Sequence, residues 1–236
     1  SLTAVSDLAE EAARERVVSM LVAARSGKLK REVWLHQLHL LLLDGAVRRG
    51  HLSSLINAQS LHDVGFTAAE LLATGFVLAE LRVGGFDAAG LRASGLRAAE
   101  LGGAGFTAAE LKGGGFNCKE LRTAGFTPVE LKAGGFSAAQ LKDVGLSALE
   151  LKDNGFTAEE LREGTFPCAI LKAFFSATEL RIAGFVAKEM RDVGYSLDEL
   201  MAGGFTASDL RNAAYYCSEM RDVGYSLDEL MAGGFT

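Results

Sequence analysis

The chain has 236 residues, 49% of them hydrophobic and 23% charged, with a formal charge of -6, proportions that suit a folded, water-soluble protein. Its 28 glycines against 2 prolines exclude collagen-like and disordered low-complexity chains and ask for regularly placed turns. The acidic balance argues against a general nucleic-acid binder, and the longest apolar run, 38–43, is too short to span a bilayer.

Residues 1–52 form an N-terminal segment of their own. Ser6 caps an expected helix running to about Arg25, with Leu8, Val17, Val18, Leu21 and Val22 as its apolar positions; a second runs from about Lys30 to Val47 with Trp34, Leu35, Leu38, Leu41 and Leu42. Both are expected to cover the open end of the array that follows. His36 and His39 share the second helix, but no third ligand accompanies them, so no metal site is expected. The basic residues of this end are interleaved with acidic ones and read as a solvated face.

From residue 53 to 236 the chain is a ten-residue repeat, beginning with a degenerate copy at 56–61. Phe66, Phe76, Phe86, Phe106, Phe116, Phe126, Phe136 and Phe156 recur at ten-residue spacing, with Leu96 and Leu146 in the same slot and a second Leu midway between each pair. In Phe66-Thr67-Ala68-Ala69-Glu70-Leu71, Thr67 is an N-cap and Glu70 completes a capping box, while Phe66 and Leu71 form a hydrophobic staple. Gly75 sits where a left-handed C′ residue is required and Phe76 can fold back on Leu71. Each repeat therefore predicts one short capped helix. A helix of that length does not survive alone in water, so stability must come from neighbours, as in a solenoid. The expected fold is all-α: a solenoid of short capped helices, one per ten residues, preceded by two longer helices.

The five-residue spacing of large apolar residues also resembles the pentapeptide-repeat family, a right-handed β-helix. That alternative would turn Lys119, Glu159, Lys188, Asp198 and Asp228 inward, at several kcal/mol for each unpaired charge. The G-F-[ST]-x-x-E-L unit is similar to the decapeptide-repeat arrays of unicellular algae over about three quarters of the chain. The resemblance implies an architecture and an algal origin, and with it a linker subunit of a large assembly such as a chloroplast photosynthetic complex.

The residue after each central Leu is usually basic: Arg82, Arg92, Lys112, Arg122, Lys132, Lys142, Lys152, Arg162 and Lys172. Beside it runs the ladder of capping glutamates, so the field is weak and the ladder reads as surface charge. Cys118, Cys168 and Cys217 all fall at the first helical position, are odd in number and show no C-x-x-C spacing. They read as small apolar fillers in a reducing compartment, cytoplasm or chloroplast, with neither a disulfide framework nor zinc.

The faulty copies are the candidate partner-binding sites. Val77 and Leu78 are apolar where Thr and Ala are the rule. Around Pro167, Thr165 replaces the glycine, Ile170 replaces the glutamate and one residue is missing before Phe175, which should kink the array and leave Ile170 or Phe174 partly uncovered. Tyr216 replaces an N-cap. Residues 189–206 recur identically at 219–236, and Thr236 is itself an N-cap. No arrangement for nucleophilic catalysis, phosphate binding or a cofactor is present. The expected function is therefore a non-catalytic scaffold or linker that joins other proteins in a larger complex, with no membrane span and no nucleic acid; the rival is a polyanion-binding or DNA-mimic repeat protein.

Overall fold

One cap, one carboxylate and one glycine in ten residues leave room for a single short helix, and the computed structural model contains one in every repeat. It describes residues 57–63 and 65–235, with scattered positions between 12 and 37. Residues 57–235 hold eighteen helices, from Ala58–Asp63 to Leu227–Ala232, and no strand occurs among the described residues. All but one have six residues; the exception is Cys168–Leu171. The five charges that a β-helix would have buried are all exposed.

The capping grammar is realised atom by atom. Glu70 N–H donates to Thr67 Oγ1 at 3.4 Å while Thr67 N–H donates to Glu70 Oε2 at 2.7 Å. At the other end Gly75 adopts φ 99°. Its N–H donates to the Leu72 carbonyl and that of Phe76 to the Leu71 carbonyl, both at 3.1 Å, which is the Schellman pair. Thr165 and Ala214 occupy the same slot with φ 61° and 62°, a left-handed conformation that costs a side-chain-bearing residue about 1 kcal/mol.

Around Pro167 the missing residue is absorbed inside one repeat. The helix Cys168–Leu171 ends early, and the Phe175 amide reaches the Leu171 carbonyl at 3.0 Å with no left-handed residue between them. The loss of the glutamate follows from the proline: Pro167 has no N–H for a carboxylate at position 170 to accept.

The chain divides into two compact units, residues 1–126 and 127–236. Within each, a helix packs on the following helix and on the second one along, so the backbone coils as a solenoid. Its interior is the central Leu or Met, wholly buried in repeat after repeat, ringed by the Phe slot and the first helical Ala. In the first unit Trp34 is buried with its ring 4.5 Å from that of Phe66, the first Phe of the array. Described residues 15–20 and 32–34 are helical. The helix ends at Ser6, Arg25 and Val47, the boundary at 52–53, His39 and Thr236 lie outside the described residues.

Close approach between coils imposes a second kind of glycine. A Cβ on Gly114 would stand 2.6 Å from the Ala88 Cβ and 2.8 Å from its backbone carbon, whereas one on Gly113 meets nothing. Gly114→Ala should therefore destabilise the array by about 1–3 kcal/mol through overpacking, while Gly113→Ala should stabilise it by about 0.5–1 kcal/mol through helix propensity. Urea denaturation of the two variants checks the opposite signs.

The capping bonds also set a pH limit. The backbone and hydroxyl of Thr107 hold the Glu110 carboxyl below its ordinary 4.5, as Thr127 does Glu130 and Ser176 does Glu179. Burial works against the same lowering at Glu160, where hydrogen bonds from Lys132 and Thr157 prevail. A depressed folded value means that the stabilisation is complete above the unfolded value and disappears as pH falls through the folded one. Thermal melting followed by circular dichroism should show a midpoint that is flat above about pH 5 and falls steadily below about pH 4.

Candidate functional site

In nine of the repeats the basic residue after the central Leu crosses to the next coil. The Arg92 guanidinium lies 4.6 Å from the Phe116 ring centroid, hydrogen-bonds to the Gly115 carbonyl and reaches Glu120 at 3.2 Å. Arg82 repeats the arrangement on Phe106 and Glu110 at 5.2 and 3.4 Å. In the second unit Lys132 lies over Phe156, donates to the Gly155 carbonyl at 2.6 Å and pairs with Glu160 at 2.7 Å. Lys142, Lys152, Arg162, Lys172, Arg191 and Arg211 likewise cover Phe166, Phe175, Phe185, Tyr195, Tyr215 and Phe235. The ladder thus survives the shortened repeat, since Lys152 donates to the carbonyl of Phe174. The rungs of Arg92, Lys132, Lys142 and Lys172 combine a cation–π contact with a charge-assisted hydrogen bond to the carbonyl of the left-handed residue. The ladder is surface charge, partly exposed, that also bridges neighbouring coils. Spacing along the chain cannot reveal which ring lies across the coil.

Four positions of the ladder are not basic: Leu72, Gly102, Met201 and Met231. At Gly102 the ring across the coil, Phe126, is half-buried, where most of its equivalents are buried. Sequence reasoning passed over Gly102, although the gap between Arg92 and Lys112 was visible. At the start of the array His62 stacks edge-on against Phe86 at 4.5 Å, an aromatic substitute for the basic rung.

The candidate partner-binding residues are distributed along the array rather than gathered. Val77 is 57% exposed and Leu78 half-buried; Val77 offers no cap oxygen, yet its N–H still donates to Glu80 at 2.9 Å. Pro167 is exposed, Ile170 is 47% exposed and Phe174 is half-buried. Tyr216 is 74% exposed, and its amide donates to Glu219 at 2.7 Å. Val129, Leu149, Ile182 and Leu227 are further exposed apolar residues in otherwise regular repeats, and Val186, 55% exposed, replaces an N-cap as Val77 does; the sequence reading singled out none of them.

Chemically the surface is quiet. Cys118 and Cys168 are buried and Cys217 is half-buried. Burial pushes the Cys168 thiol up to about 11 and the Tyr195 phenol up to about 12, the opposite of activation. Tyr195 and Tyr225 direct their hydroxyls at the Phe175 and Phe205 carbonyls. No group of three or more metal-ligating side chains occurs among the described residues, and none of their helices is long and apolar enough to cross a membrane.

The family model described as "Decapeptide repeat region" matches residues 56–127, 105–174 and 170–236, and so covers the whole array. No curated protein and no solved structure matches the chain.

The rungs have a measurable energetic role. Arg92→Ala should cost about 1–2 kcal/mol, the sum of one cation–π contact and one charged hydrogen bond net of solvation. Arg92→Lys should recover part of it. Because the partly exposed ion pair with Glu120 contributes little, the loss read by urea denaturation should persist at high salt.

Proposed function

The chain belongs to the decapeptide-repeat family, and on that premise we propose that it is a non-catalytic scaffold or linker whose irregular repeats join other proteins in a larger assembly. The supporting observation is Tyr216. It occupies an N-cap position, where Ser, Thr, Asn or Asp would stabilise the helix, and instead presents a large ring to solvent. A position that gives up local stability for an exposed aromatic is where an interaction surface is expected. The partners, on this reading, are proteins of an algal photosynthetic complex in the chloroplast, or of a cytoplasmic assembly in a reducing environment. An enzyme role finds no support in the perturbed groups, which are either buried and inert or committed to caps. Polyanion binding is less favoured because the basic side chains are engaged across the coils; retention on heparin should be weak and lost at modest salt.

Cross-linking in native extract followed by mass spectrometry tests the proposal. Heteromeric products larger than the 24.9 kDa chain are expected, and recovery of monomer alone would sink it. Tyr216→Ser separates binding from folding. It should raise stability by up to about 1 kcal/mol by restoring a cap, while lowering the cross-linked yield about tenfold, as for loss of an interfacial aromatic.

A further inference from the structure

We propose that the open rung at Gly102 is a receptor for an arginine side chain presented by a partner protein. In the first compact unit the two neighbouring rungs are filled from within. Arg82 lies over Phe106 and beside Gly105, where an added Cβ would meet its Nη1 at 2.8 Å. Arg92 lies over Phe116, bonded to the Gly115 carbonyl. The next rung has the same receiving half, the Phe126 ring and the left-handed turn at Gly125 with φ 94°, but Gly102 supplies no side chain. Two features record the gap. Phe126 is half-buried. No cationic side chain stands over Phe126 among the described residues.

The occupant follows from the two preceding rungs, both filled by arginine. A planar guanidinium can stack on the ring while its N–H groups reach the turn carbonyl, as Arg92 does on Phe116 and Gly115. Gly102 also keeps the entry clear: a Cβ there would stand 3.0 Å from the Phe126 ring edge, and Gly103 beside it adds no side chain. The slot is thus shaped by the array's own arginine recognition and left vacant at one place.

This inference rests on the reading of the chain as an interaction protein, but its test uses the isolated full chain, so a failed titration leaves the cross-linking result standing. N-acetyl-arginine amide is titrated into protein labelled at Phe and Gly, with N-acetyl-citrulline amide and spermidine as controls. The expected result is a saturable shift of the Phe126 ring and Gly125 amide resonances, in the millimolar range appropriate to one side chain. Citrulline, which has the shape without the charge, should give a response at least about tenfold weaker. Gly102→Arg should displace the Phe126 resonances without probe and abolish the response. Should that variant fold poorly, Phe126→Leu serves instead, because Leu96 and Leu146 fill the same slot naturally; it should lose the Gly125 shift. No saturable shift, an equal shift with citrulline or spermidine, or an undiminished response in a folded Gly102→Arg or Phe126→Leu chain would overturn the proposal.

Discussion

The hydrogen bond from the Phe-slot amide back to the central Leu carbonyl carries the whole architecture. In the first regular repeat it runs from Phe76 to Leu71 at 3.1 Å, and it can form only because Gly75 turns through the left-handed region. That bond ends one helix and sets the Phe to open the next, so helix length, turn and staple are fixed together. A six-residue helix has too few internal bonds to persist. The turn answers this by returning the chain onto the preceding Leu, and the coils answer it by burying the Leu residues together with a basic side chain laid across nine of the rings. Stability is then shared between nearest neighbours, which is why a shortened repeat or a left-handed threonine can be absorbed locally.

Much of this was legible in Phe66–Gly75. Thr67, Glu70 and Gly75 each have one structural use at that spacing, and all three uses are realised. The alternative coil of strands failed on Lys119 and Asp198, which the helices place in solvent. What the chain order concealed was everything that depends on the pitch of the coil. Nothing in the neighbourhood of Arg92 says that its partners are Phe116 and Glu120, because the contact is set by how many repeats make a turn. The glycines divide for the same reason. Gly115 is required by its own dihedral, visible as a C′ residue, whereas Gly114 is required by Ala88 on another coil.

The irregular repeats gain meaning against that background. Pro167 and Ile170 change together because a residue without an N–H makes the capping carboxylate useless. Val77 and Tyr216 keep the glutamate half of the box and surrender only the side-chain half. The array therefore tolerates apolar residues at exposed cap positions at small cost, and a family of such repeats can vary its surface without altering its core. Gly102 is the converse case, in which the core's own bridging residue is withheld and a receiving surface is left.

Native-state hydrogen exchange resolved to single amides addresses the central claim, that each repeat is a capped helix held by its neighbours. Protection should recur every ten residues, strongest at the Phe-slot and central-Leu amides, with the N-cap amides held by glutamate intermediate. The shortened repeat should show its protected amide at Phe175. Protection with no ten-residue repeat, or absent from the Phe-slot amides, would contradict it.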